Sequence, residues 1–367
     1  MFIFDFFLKN FPVPQYLAMP TLGIDISDNS IKYVSLVSES GALKKNKVEV
    51  WGEIDMSPGI VEAGQIKDPS GLAMVLNQIK QKTGFDLVRL SLPEEKVYLF
   101  ETEINKNIPF KETKSLLEFK LEENVPVPSD EILFDYSILP ADNQNNPNKL
   151  KVVVTAYARD LIDAYFDVCT DVGFRPVSFE IEFQAMVRSL IPKDQQKTYL
   201  IVDFGKTRTG VGIVYKNKLI YTSTIDIGGF DLSQTLRTAL PDKKYSEEEL
   251  TKIKNQYGLL GRGDSDVLSS SLKTVVNNIK DEIAIRIKYW HLRDDNIGQR
   301  SIAEIILCGG SSNLNGLSEY FTENLGIKTR LANVWENVLS TDTVVPPITY
   351  RHSFGYATAI GLALRKF

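Results

Sequence analysis

The chain has 367 residues, enough at roughly 150 residues per domain for two to three domains with full hydrophobic cores. Its 42 Lys and Arg against 47 Asp and Glu give a formal net charge of -5, which argues against broad nucleic-acid binding. Only two cysteines, Cys169 and Cys308, and two histidines, His291 and His352, are present, which excludes a disulfide framework, a Cys-rich zinc site and a multi-His metal site.

Residues 1–11 (MFIFDFFLKNF) hold five of the chain's 19 phenylalanines. Phe4, Phe7, Leu8 and Phe11 have the i, i+3, i+4, i+7 spacing of one helix face, and Pro12 and Pro14 end it. With no positive n-region and no small-residue cleavage site, the segment does not read as a signal peptide. No run of 18 apolar residues spans a bilayer. Within the unit 1–18, two readings stay open: a terminus docked on its own body or disordered, and an aromatic face for a membrane surface or partner.

From residue 21 the pattern is β-rich. Strands are predicted at 21–26, 31–37 and 47–55, a helix at 71–83, and a strand at 87–92. Strand 97–104, helix 111–124, strand 132–139, a polar loop at 142–149, strand 150–157, helix 160–172 and strand 177–181 then read as a small β-α-β-β-α-β module. The opening meander recurs at 199–204, 210–215 and 219–224. In both, an apolar strand ends in Asp, at Asp25 and Asp203, before a short hydroxyl-rich turn. Helices are predicted at 233–240, 246–257 and 271–290, the last with a core-facing stripe from Leu272 to Trp290. Strand 304–308 runs into Gly309-Gly310-Ser311-Ser312, followed by helix 314–325. In the final helix, 352–367, Gly355, Ala359 and Ala363 form a flat face for close backbone approach.

An Asp at a strand end facing a turn of Gly, Ser and Thr suits a metal-phosphate site. Backbone N–H groups and hydroxyls of such a turn cradle phosphate, and the carboxylate holds Mg2+ directly or through water. Lys32 sits where it can neutralise phosphate charge, and Gly309-Gly310-Ser311 lets backbone come close to a ring. Two such hairpins at domain-scale spacing make a constellation that one alone does not.

These residues resemble the actin-like ATPase superfamily, in which two related halves clamp a nucleotide. Leu22-Gly-Ile-Asp-Ile-Ser-Asp-Asn-Ser-Ile-Lys32 looks like its first phosphate motif and Ile201-Val-Asp-Phe-Gly-Lys-Thr-Arg-Thr209 its second. Ile305-Ile-Leu-Cys-Gly-Gly-Ser-Ser312 looks like the adenosine motif, and Gly355-Tyr-Ala-Thr-Ala-Ile-Gly361 the connector helix. The module with Glu122-Glu123-Asn-Val-Pro126 and Phe134-Asp-Tyr136, and Asp226-Ile-Gly-Gly229 before a helical part, narrow the resemblance to the PilM family of type IV pilus assembly proteins.

The resemblance implies an α/β actin-like fold of two related domains. The first covers 19–92, completed by 178–197 and 350–367; the inserted partner-binding module covers 93–177. The second covers 198–349, with a helical subdomain at about 231–300. It also implies ATP and Mg2+ as ligands, with Asp25 and Asp203 on the metal. Ser27, Asn29, Ser30, Lys32, Gly205, Lys206, Thr207, Gly228 and Gly229 then surround the phosphates, and Lys254, Gly309, Gly310, Ser311 and Asn313 the adenosine. At the family's Ala-Glu-x-x-Lys element this chain has Leu250-Thr251-x-x-Lys254, so Thr251 stands where an acidic ribose contact is expected. The expected place is cytoplasmic, peripheral at the inner face of the cytoplasmic membrane. The expected partner is the cytoplasmic N-terminal tail of an inner-membrane PilN-like protein, with residues 1–11 as a membrane contact and room for self-association. No residue stands out as activating water, so at most slow ATPase activity is expected. An FtsA-like scaffold, which has a linker and amphipathic helix after the core where this sequence has residues 364–367, and an actin-fold small-molecule kinase are the alternatives.

Overall fold

In the computed structural model, which describes residues 19–38, 46–140, 148–241, 244–260, 266–293, 300–339 and 344–365, the sequence repeat becomes two five-stranded sheets. The first begins with the antiparallel meander β1 (Leu22–Ile26), β2 (Ser30–Ser38) and β3 (Asn46–Asp55). A short hairpin, β4 (Val61–Glu62) and β5 (Gln65–Ile66), precedes helix α1 (Pro69–Thr83). Asp68 caps the start of that helix by accepting from Gly71 N, and Gly84 ends it at a left-handed φ of 72°. The apolar strand β6 (Leu87–Leu92) then pairs in parallel with β1.

Strand β7 (Val97–Asn105), helix α2 (Phe110–Asn124), β8 (Ile132–Ile138) and β9 (Lys149–Ala158) form a separate antiparallel sheet of order β7-β9-β8. Leu117 and Leu121 of α2 share a core with Ile104, Ile132, Val152 and Val154 of the strands. The module ends there. Helix α3 (Arg159–Asp171) packs against α1, and β10 (Arg175–Ile181) pairs in parallel with β6 to give the order β10-β6-β1-β2-β3. The predicted β-α-β-β-α-β order is thus a β-α-β-β unit: its last helix packs against α1, and its last strand, predicted at 177–181, pairs into the first sheet. Parallel pairing joins segments far apart in sequence, so local periodicity does not reveal which sheet a strand enters.

Helix α4 (Glu182–Leu190) follows β10 directly. The second domain repeats the plan with β11 (Thr198–Phe204), β12 (Thr209–Tyr215) and β13 (Lys218–Ile225). Helices α5 (Gly229–Ala239), α6 (Glu247–Tyr257) and α7 (Asp266–Leu292) follow, then β14 (Ile302–Cys308), α8 (Leu317–Leu325) and β15 (Thr329–Leu331). Its order, β13-β12-β11-β14-β15, matches the first sheet strand for strand. The α7 stripe is core, as expected: Leu272, Val276, Ile279, Ile283 and Trp290 are fully buried. Among the described residues no helix is long and apolar enough to cross a membrane.

The chain closes with α9 (Tyr350–Ser353), a single 3-10 turn and α10 (Ala357–Ala363). A Cβ on Gly23 of β1 would stand 2.5 Å from the Ala359 carbonyl, so part of the predicted flat face does meet backbone. The closest helix approach, however, uses Gly361, where a Cβ would overlap the Ala185 backbone of α4. Phe183, two residues before Ala185 on α4, lies over Gly212 of β12, where a Cβ would come within 2.7 Å of the ring. Helix α4 therefore links the two domains. The module is braced to the second domain as well: Leu139 and Val153 join its core, and Glu101, its side chain 4% exposed, pairs with buried Arg300 at 2.8 Å. The aromatic segment 1–18, most of the polar loop 142–149, and residues 366–367 of the predicted last helix lie outside the described residues.

Candidate functional site

Strand register builds the site. Asp25 on β1 lies opposite Lys32 on β2, and Lys32 opposite Glu53 on β3, so the three side chains share one sheet face. Between β1 and β2, Ser27 N and Ser27 Oγ both donate to the Ser30 carbonyl, at 3.1 and 2.9 Å, which closes a tight hairpin. Asn29 is held in the same turn, its carbonyl accepting from Met56 N at 2.8 Å. In the second domain, Gly205 N donates to the Asp203 and Arg208 carbonyls, and Lys206 and Thr207 form the hairpin tip. The two hairpins line opposite walls of an interdomain cleft of about 840 Å3, with Asp25 and Asp203 both on it.

The remaining predicted residues converge on the same cleft, with one exception. Gly309 stands at a left-handed φ of 84° against Asp203 and Phe204, and Ser311 Oγ donates to the Gly205 carbonyl at 2.9 Å. Asn313 Nδ2 donates to the Gly310 and Arg351 carbonyls, both at 3.0 Å, while its buried Oδ1 has no partner among the described residues. Gly229 lines the cleft, but Gly228 does not. A Cβ on Gly228 would stand 2.5 Å from the Thr207 backbone, so Gly228 props the hairpin from behind. Lys254 is buried and already committed, donating to the Gly229 carbonyl at 2.8 Å and Ser233 Oγ at 2.7 Å, with Glu247 at 3.6 Å.

Electrostatics mark the floor of the cleft. Burial, then the Asp25 charge, lifts the Asp203 carboxyl to about 7, so the two aspartates feel each other. Burial also raises Asp25, against the pull of Lys32 and of a 2.9 Å hydrogen bond from Ser91 Oγ. Glu94, lifted by burial to about 8, and Glu182, at the start of α4 and raised well above its usual range, are hydrogen-bonded to each other there. Sequence reasoning missed both, and Glu53. Burial works against the Glu53 carboxylate, but Lys32 and Ser30 outweigh it and hold its pKa below the ordinary value. Ten Asp and Glu side chains line the cleft against five Lys and Arg. Among the described residues no group of three or more His, Cys, Asp or Glu is placed to hold a metal unaided.

The family model for the type IV pilus assembly protein PilM matches residues 23–367. The chain belongs to the PilM family. The solved PilM-PilN type IV pilus biogenesis complex is similar to it with a TM-score of 0.75 at 19% identity, covering 96% of this chain and 98% of that one. The ethanolamine utilization protein EutJ from Carboxydothermus hydrogenoformans gives 0.54 at 16% identity, covering 96% and 91%. MreB5 of Spiroplasma citri bound to AMPPNP gives 0.54 at 12%, covering 94% and 95%. The architecture is the two-domain actin-like fold that the sequence resemblance implied.

For this PilM-family chain the departure at Thr251 has a structural counterpart. Thr251 and Asn255 line the cleft from one face of α6, while Glu247, one turn before Thr251, is drawn inward by Arg237 at 2.8 Å and by Ser233. No local sequence signal marks Glu94 or Glu182 as cleft residues. Each sits at an element boundary, at the ends of β6 and β10, which run side by side in the sheet.

Proposed function

We propose that this chain is an ATP-binding assembly protein of a type IV pilus or related machine, acting in the cytoplasm at the inner face of the cytoplasmic membrane. The observation that carries the reading is the mirrored pair of hairpins with Asp25 and Asp203 on one cleft. A cleft with twice as many acidic as basic side chains takes an anion well only if a cation comes with it, which supports a Mg2+ complex of ATP. When bound, the metal supplies charge neutralisation of the phosphates. Asp25 and Asp203 would hold it, through water in part. Ser27, Asn29, Ser30, Lys32, Gly205, Lys206, Thr207 and Gly229 would surround the phosphates. Gly309, Gly310, Ser311 and the unpartnered Oδ1 of Asn313 suit the adenosine. The AMPPNP held by the MreB5 relative supports the same assignment.

Hydrolysis by this chain is slow in this account. A general base has to be deprotonated near the working pH. Glu94 and Glu182 hold each other and sit above their ordinary range, so at neutral pH neither is a ready base.

The partner in this account is the N-terminal tail of a PilN-like inner-membrane protein, in the groove between module and first domain. Family membership and likeness to the PilM-PilN complex support it. Strand β10 is the last of its sheet and β8 the last of the module's, with Val177 and Ile138 exposed on them. The hydroxyl of Tyr157, on β9, feels the charges of both Glu180 on β10 and Asp135 on β8. An extended peptide there gains backbone hydrogen bonds from a sheet edge and places alternate side chains in pockets. A titration with the tail peptide tests this. Val177→Lys should weaken peptide binding and leave ATP binding unchanged; peptide binding at full affinity would put the partner elsewhere.

A further inference from the structure

We propose that Arg208 is the residue by which the cleft tells a nucleoside triphosphate from a diphosphate, held in reserve by two carboxylates until a terminal phosphate displaces them. The inference rests on the nucleotide reading above. Arg208 belongs to the second-domain hairpin but reaches across the cleft. It pairs with Asp28 of the first-domain hairpin at 2.7 Å and with Glu95 just beyond β6. Two of the other basic residues on the cleft are engaged within their own domains: Lys32 bridges Glu53 and Ser30, and Lys254 is buried among three partners.

The latch is built to release. Asp28 also accepts from Ala63 N at 3.3 Å and Gly64 N at 3.2 Å. These donors sit in the β4–β5 turn, where both residues take left-handed φ values of 50° and 68°. Asp28 therefore keeps two donors when Arg208 leaves, and a swap strands no carboxylate there. The side chains of Arg208, Asp28 and Glu95 are 24%, 18% and 23% exposed, so water and an incoming anion reach the pair. A partly solvated pair of this kind is cheap to exchange, unlike a sealed one.

Position gives the discrimination. The Gly309–Asn313 loop abuts Gly205 through Ser311, and Arg208, facing Gly205 across the same turn, sends its side chain away from that loop to Asp28 of the first-domain hairpin. With the base at that loop and the phosphates running across the turn towards the first-domain hairpin, the last phosphate is the one nearest the Arg208 guanidinium. A guanidinium engages a phosphate through two parallel N–H bonds, stronger than its exposed pairing with a carboxylate.

The test is the binding kinetics of fluorescent ATP and ADP, with Mg2+, to the full chain and to Arg208→Gln, Asp28→Asn and Glu95→Gln. Arg208→Gln should weaken ATP by about tenfold or more, the usual worth of a charge-assisted hydrogen bond, and leave ADP within about twofold. Asp28→Asn and Glu95→Gln should each speed ATP association by freeing Arg208. If wild type binds both nucleotides but Arg208→Gln leaves their affinity ratio unchanged, or weakens them equally, this inference alone falls. Wild type that binds neither nucleotide refutes the nucleotide reading, and this inference with it.

Discussion

Replacing Glu94 by Gln should stabilise the folded protein, by an amount that grows with pH. Glu94 is 9% exposed, accepts from Phe183 N at 3.0 Å, and burial lifts its carboxyl from 4.5 to about 8. Between those two values the folded chain holds a proton that the unfolded chain has released. The group's contribution to stability is thus full below pH 4.5 and drains away as pH rises towards 8, by about 1.4 kcal/mol per unit. At pH 7, two and a half units up that slope, keeping the carboxyl costs about 3 kcal/mol. Glutamine retains an oxygen for the Phe183 amide and has no charge to desolvate. Urea unfolding of both proteins at pH 5, 7 and 8 measures the difference. The gap should open from under about 1 kcal/mol at pH 5 to about 3 kcal/mol at pH 7. A gap that stays constant with pH would refute the reasoning, because the titration is then not in the folded cleft.

Three further outcomes follow from the same geometry. Glu101→Ala breaks the buried ion pair with Arg300, 2% exposed, and should cost about 3–5 kcal/mol in chemical unfolding; a loss under about 1 kcal/mol would mean that the module is not braced there. Gly361→Val drives a side chain into the Ala185 backbone and should cost at least about 1–3 kcal/mol, so an unchanged melting temperature would sink the close packing of α4 on α10. ATP turnover by the isolated protein should lie below about 1 per second and climb with pH towards 8 as the Glu94–Glu182 pair loses its proton, whereas fast, pH-independent turnover would show that another group activates water.

The sequence made the repeated meander legible because each hairpin is local: an apolar strand, an Asp, a polar turn and a returning strand. Asp25 and Asp203 could be singled out from that pattern alone, and the Gly309–Ser312 loop as a place of close backbone approach from its position after a buried strand. What stayed hidden was non-local. Strand β10 reads like any short strand, and only its pairing with β6 takes it out of the module. Helix α4 has nine residues, shorter than the window in which helical periodicity declares itself, yet it joins the two domains and carries Glu182 into the cleft. Lys254 was found by motif, but the carboxylate and hydroxyl that occupy it come from α6 and α5. The cross-cleft pairing of Arg208 with Asp28 joins residues 180 positions apart and leaves no local trace.

The most direct test of the central claim is calorimetric titration of ATP into the full chain with and without Mg2+, repeated for Asp25→Asn and Asp203→Asn. Wild type should bind ATP far more tightly with the metal, and each substitution should remove most of that dependence while the protein stays folded. Equal affinity for ATP with and without Mg2+ in the wild type would contradict a two-aspartate metal-nucleotide cleft.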